Sequence, residues 1–179
     1  MPYICGMRAF ACDWLFTGIE LLQDQTVSLD DDGVVIAIRP GKSADATHLP
    51  GLLSPAFVNA HCHLELSHLK GLIPQHTGMA GFVRALQPIR DGFSDQERAA
   101  AMEAALVEMR DGGIAAIGDI CNGLSSLPIK QAHPEFQFHN FIELFGLNPS
   151  IAEEIFIKGL DLLRDFGKNS SITPHAPYS

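Results

Sequence analysis

The chain has 179 residues, 46% of them hydrophobic, a mean hydropathy of +0.12 and a formal net charge of −9. This composition can fill a globular core. No basic cluster is present to hold nucleic acid, and no apolar run reaches the roughly 20 residues of a membrane span. The four cysteines, Cys5, Cys12, Cys62 and Cys121, form no paired framework. With no signal-peptide pattern at the N-terminus, reduced thiols and a cytoplasmic location are the expectation.

In chain order, residues 1–51 read as a small β region. "ACDWLFTG" and "TVSLDDDGVVIAIRPG" carry β-branched and aromatic residues, and Asp31-Asp32-Gly33 is a turn signal. From Leu52 the character changes. "LLSPAFVNAHCHLE" reads as a buried strand, and a loop rich in Gly, His and Pro follows over 67–78. A short helix is expected in "MAGFVRALQPIRDGF". Ser94 and Glu97 then form a capping box ahead of an Ala-rich helix, which Gly112-Gly113 ends.

"IAAIGDI" is a second buried strand, "SSLPIKQAHPE" a short helix and loop, and "FQFHNFIELFG" a third strand. A helix with Pro149 at its start follows, its apolar stripe running through Ile155, Gly159, Leu162, Leu163 and Phe166. "SSITPHAPYS" opens a fourth strand. Strand–helix alternation of this kind predicts parallel strands covered by helices, with both sheet faces buried.

The chemistry gathers at the end of the first of these strands. Regular alternation puts Val58, Ala60 and Cys62 on one face and Phe57, Asn59, His61, His63 and Glu65 on the other. Histidines at i and i+2 can converge on one metal ion, and neutral imidazole suits zinc, iron, nickel or copper. Two ligands do not complete a catalytic site, and a strand-end pair bonded to backbone is the bland alternative. The same alternation turns Cys62 away from both histidines. Glu65 is expected in a solvated or salt-bridged loop, and His68, His76, His133 and His139 in loops or at the surface. No G-x-G-x-x-G follows a strand, which argues against a dinucleotide-binding domain.

"LPGLLSPAFVNAHCHLELS" resembles the first barrel strand of the amidohydrolase superfamily, with Ala56 where that family usually has Gly. "TPHAPYS" resembles a second element of its cytosine-deaminase-like branch, which includes chlorohydrolases and aminodeoxyfutalosine deaminases. The resemblance covers essentially the whole chain. It implies an α/β fold: the N-terminal half of a metal-dependent (β/α)8 TIM barrel over 52–179, preceded over 1–51 by part of a small β-sandwich. It implies one divalent metal, zinc or else iron, held in part by His61 and His63. His175 is then a substrate-binding residue and Glu143 a pocket-facing one. The activity implied is hydrolytic deamination of an aromatic heterocycle or nucleoside-like small molecule. No nucleic-acid or membrane partner is expected, and a homodimer of the full-length protein is left open.

A barrel of this type needs about 250 residues and eight strands. In the family the later strands carry the third metal histidine, the proton-shuttling Glu and the metal-binding Asp. No catalytic residue is therefore expected within this chain; all lie beyond Ser179. The expectation is an N-terminal fragment of a longer enzyme, inactive by itself. Two alternatives stand beside it: a dehalogenating chlorohydrolase relative, and an inactive half-barrel that associates with itself or a partner.

Overall fold

The computed structural model describes residues 8–176, and these divide into two compact units that meet at Pro55 and Ala56. The first unit is a four-stranded sheet of β1 (Arg8–Phe16), β2 (Leu21–Leu29), β3 (Val35–Pro40) and β4 (Thr47–Leu53), in the order β3-β2-β1-β4. β1–β2 and β2–β3 are antiparallel hairpins, and β4 lies parallel to β1. The turn expected at Asp31-Asp32-Gly33 is closed by Asp30, whose N–H donates to the Val34 carbonyl at 3.0 Å. Gly33 supplies the left-handed residue there, at φ 82°. Cys12, Leu15 and Val27 make the buried centre. Leu52 and Leu53, read from sequence as the start of the first barrel strand, belong instead to β4 of this sheet.

The second unit holds β5 (Phe57–Cys62), α1 (Gly78–Leu86), α2 (Asp95–Asp111), β6 (Ile114–Cys121), α3 (Leu127–Ala132), β7 (Gln137–Leu144), α4 (Ala152–Phe166) and β8 (Ser170–Pro174). Its sheet has the order β5-β6-β7-β8 and every pair is parallel. Successive strands are thus neighbours joined by helices, the arrangement of the first half of a (β/α)8 barrel.

One face of this sheet packs on the helices. Ile117 of β6 meets Leu64, Met102, Leu106 and Phe136, while Cys121 and Ile142 meet Leu162 and Phe166. Gly159, Leu162 and Phe166 of the α4 stripe are buried and Ile155 and Leu163 half-buried, while Pro149 opens a short 3-10 turn (Pro149–Ile151) rather than the helix itself. The Ser94–Glu97 capping box is formed in both directions, at 3.3 and 2.8 Å.

A charged pair interrupts the helix-side layer. Lys130 Nζ of α3 reaches Asp119 Oδ2 of β6 at 2.6 Å and Asn140 Oδ1 of β7 at 2.7 Å. Asp119 is fully buried, and its other oxygen accepts the Leu64 N–H at 2.7 Å. Asp119 therefore ties the turn that follows His63 to the centre of the sheet.

Candidate functional site

Strand β5 does not alternate regularly. Asn59 lies opposite Ile117 and Cys62 opposite Asp119, so three steps on β5 match two on β6. One extra residue is accommodated at Ala60–His61, which is a bulge. Ile117 and Asp119 both look toward the helices, and so do Asn59 and Cys62. Asn59 Nδ2 lies 4.0 Å from Met109 Sδ of α2. This corrects the expectation that Asn59 shares a face with the histidines. Cys62 is turned away as expected, and burial, aided by the Asp119 charge, pushes its thiol up to about 12.

His61 and His63 flank Cys62 and occupy the opposite face, their ring centroids 5.3 Å apart at 65°. His61 is exposed and His63 half-buried. Burial is the main cause holding the His63 imidazole below its ordinary pKa, the neutral form a metal requires. Its Nδ1 is buried without a hydrogen-bond partner among the described residues. Two adjacent imidazoles, one with an unpartnered buried nitrogen, fit a metal ion as a partial donor set. Among the described residues no group of three or more His, Cys, Asp or Glu side chains converges to complete a cage.

Glu143 and His175 come from the ends of β7 and β8. Ile142 packs toward the helices, so alternation turns Glu143 to the histidine face. His175 Nδ1 sits 2.6 Å from Glu143 Oε1, and Asn122 Nδ2 donates to Glu143 Oε2 at 2.8 Å. Burial works against the Glu143 charge, but these two hydrogen bonds outweigh it and hold the carboxyl below its usual range. An ionised Glu143 requires the His175 proton on Nδ1, which leaves Nε2 for a ligand. The Phe145 ring stands edge-on to His175, with centroids 4.8 Å apart. Glu143 and Asp119 act on the His63 imidazole to raise its pKa, and His61 and His175 to lower it, all less strongly than burial.

Of the two loop roles expected for Glu65, the salt-bridged one holds and the solvated one does not: it is buried in a 3-10 turn (Leu64–Leu69) directly after His63, with Oε1 3.6 Å from Arg90 Nη2 and Oε2 accepting the Asn122 N–H at 3.2 Å. His68 is buried too, bonded through Nε2 to the Arg90 carbonyl at 3.0 Å and edge-on to Phe93. His133 bridges Glu103 and Glu135, and His139 contacts Ser171. Asn122, missed from sequence, connects Glu65 through its backbone and Glu143 through its side chain. Cys5 and the last three residues of "TPHAPYS" lie outside the described residues.

No protein-family profile matches the chain. An adenosine deaminase of Helicobacter pylori is 27% identical over 171 residues, covering 89% of this chain and 41% of that protein. Among solved structures, Helicobacter pylori aminofutalosine deaminase in complex with methylthio-coformycin matches at TM-score 0.76 and 20% identity, over 96% of this chain and 45% of that one. Atrazine chlorohydrolase from Arthrobacter aurescens, complexed with zinc, matches at TM-score 0.72 and 18% identity, over 96% and 47%. An adenosine deaminase from Xanthomonas campestris with bound zinc matches at 0.66 and 20%, over 96% and 43%. The chain thus spans less than half the length of the relatives it matches. It resembles the amidohydrolase superfamily in its deaminase and chlorohydrolase branch, and its fold is that of their N-terminal portion.

Proposed function

We propose that this chain supplies the N-terminal half of a metal-dependent hydrolase that removes ammonia from an amino-substituted aromatic heterocycle. The observation that carries this reading is the placement of His61 and His63 at the C-terminal end of the first parallel strand, on the face that also bears Glu143 and His175. Ligands of parallel α/β barrels gather at that end of the strands. The likeness to two adenosine deaminases and an aminofutalosine deaminase supports deamination. The zinc named in two of the matching structures supports a divalent ion.

His61 and His63 would hold that ion. When bound, it supplies the Lewis acidity that makes water a nucleophile near neutral pH. The remaining chemistry belongs to the chain's own groups. Glu143 fixes the His175 ring and its tautomer, so that Nε2 meets the substrate as an acceptor, or as a donor when protonated. Asn122 keeps Glu143 from turning away. In the overall reaction the water oxygen joins the ring carbon, the exocyclic C–N bond breaks and ammonia leaves. The groups that move protons to the leaving nitrogen are assigned to the barrel's second half, beyond Ser179.

The test is ammonia release by the complete gene product, offered a panel of aminopurines, aminopyrimidines and their nucleosides. Activity that disappears with a chelator and returns with zinc supports the reading. Chloride release from a chlorinated triazine, without ammonia release from any panel member, would favour the dehalogenating alternative. No hydrolysis of any compound by the metal-loaded protein would refute the proposal.

A further inference from the structure

The peptide group between His63 and Leu64 is held at both ends. Its carbonyl, that of His63, accepts the Leu66 N–H at 2.9 Å. Its N–H, that of Leu64, donates to Asp119 Oδ1 at 2.7 Å. His63 is the capping residue of the 3-10 turn Leu64–Leu69, yet its side chain makes no capping hydrogen bond. The first N–H of such a turn has no partner within the turn, and leaving it buried and unmet is costly. Asp119 of β6 meets it from 55 positions along the chain.

Asp119 is itself aimed. It is fully buried on the helix side of the sheet, and its Oδ2 takes Lys130 Nζ at 2.6 Å, which leaves Oδ1 for Leu64. Cys121 Sγ adds a weak contact to Oδ2 at 3.6 Å. Lys130 continues to Asn140 Oδ1 at 2.7 Å, and Asn140 Nδ2 donates to Ser170 Oγ at 3.2 Å. One polar chain thus runs from the turn after β5 through β6 and β7 to β8, behind the face that bears the histidines.

Packing does not require these groups. A buried ion pair is often no more stabilising than apolar side chains of similar volume. An apolar pair would fill the helix-side layer but could not accept the Leu64 N–H. The need for that acceptor lies with His63. Metal-binding histidines are ordinarily aligned by a hydrogen bond at the ring. The His63 Nδ1 is buried and makes none among the described residues. The fixed peptide that follows holds ψ of His63 at 75°, and with it the direction in which the Cα–Cβ bond leaves the backbone.

We propose that Asp119 is a positioning residue for the metal site. From the face opposite the histidines, and held by Lys130, it fixes through the Leu64 N–H the backbone that aims His63. This rests on the reading of His61 and His63 as metal ligands. Asp119 touches neither the ion nor the substrate. What the site takes from it is an acceptor atom at that one place, not its charge.

The complete gene product is tested by zinc binding, in competition with a chromophoric chelator, and by the visible spectrum of its cobalt(II)-substituted form. Asp119→Asn/Lys130→Met keeps an acceptor for Leu64 and leaves no buried charge. Asp119→Leu/Lys130→Met keeps the branched shape and removes the acceptor. Urea unfolding of each metal-free protein reports whether it folds. The Leu variant is expected to bind zinc about 10- to 100-fold more weakly than wild type, the usual effect of losing an outer partner of a ligand, with altered cobalt bands. The Asn variant is expected to stay within about three-fold of wild type, short of that loss, and to keep the wild-type bands. If the Leu variant does not fold, Asp119→Ala/Lys130→Met is held to the same expectation; failure of both to fold makes Asp119 a structural residue and overturns the positioning role. Wild-type zinc affinity and cobalt bands in a folded variant without the acceptor overturn it too, as does an equal loss in the Asn variant, and both results leave the hydrolase reading intact. A wild type that takes up neither metal overturns the hydrolase reading and the positioning role with it.

Discussion

Replacing Lys130 with Met would remove the only cation within hydrogen-bond reach of the Asp119 side chain among the described residues. Asp119 is 0% exposed and the Lys130 side chain 5% exposed, so solvent cannot take over. The variant keeps an aliphatic side chain but loses the ammonium, whose nitrogen lies 4.9 Å from the Phe166 ring centre, and leaves a buried carboxylate held only by the Leu64 N–H and the weak Cys121 thiol donor at 3.6 Å. Breaking one partner of such a pair costs about 3–5 kcal/mol. That is a large share of the roughly 5–15 kcal/mol by which a domain is stable. Urea unfolding followed by circular dichroism should show the midpoint falling accordingly. Asp119→Asn in the same background removes the orphaned charge and retains an oxygen for Leu64, so the double variant should regain most of the loss. A Lys130→Met protein within about 1 kcal/mol of wild type would refute the reasoning, because solvated surface pairs behave that way. A double variant no better than the single one would equally contradict it.

At Gly118 of β6, an added Cβ would lie 2.8 Å from the Ala60 carbonyl oxygen and 3.0 Å from Phe141 Cε2. Gly118→Ala should therefore cost about 1–3 kcal/mol and, by displacing the residue before His61, weaken zinc binding measured by competition with a chromophoric chelator. Glu143 has a folded pKa below the ordinary 4.5, so its contribution to stability is present above that value and is lost as pH falls through the folded pKa. Urea midpoints measured from about pH 6 down to about pH 3 should fall less steeply in Glu143→Gln than in wild type. His133 is raised above 6.5 by its hydrogen bonds to Glu135 and Glu103, so its contribution is full below 6.5 and is lost as pH rises through the folded pKa. Thermal melts should show a downward slope over that window, flattened in the Glu103→Gln/Glu135→Gln double variant.

The parallel strands were legible because short apolar runs alternate with helical stretches along the chain, but the expected burial of both sheet faces does not hold, since Phe57 and Val58 of β5 are 62% and 66% exposed. The capping box at Ser94 and the α4 stripe are local patterns, and they fold as written. The bulge in β5 is different. Whether an extra residue is absorbed between Asn59 and Cys62 depends on β6, more than fifty residues away, and strict alternation therefore misplaced Asn59. The histidines escaped that error because His61, at the end of the bulge, and His63, beyond it, still flank Cys62, which points to the helices. Glu65 and His68 sit in a stretch that composition marks as loop. They are buried because the 3-10 turn folds beneath α2 and the Arg90 segment, a tertiary contact with no local signal. Asp119 inside an apolar strand announces that a partner must exist, but nothing in "IAAIGDI" identifies Lys130. Asn122 resembles any loop asparagine until Glu65 and Glu143 arrive on either side of it.

The most direct test of the central claim is the metal content of the complete gene product, purified without chelators and measured by inductively coupled plasma mass spectrometry. The account predicts about one divalent ion per chain, as in a mononuclear site, and a severe loss of it in the His61→Ala/His63→Ala variant, whose fold is checked by circular dichroism. Retention of the wild-type metal content by that folded variant, or a wild type that takes up no divalent ion when zinc is supplied, would contradict it.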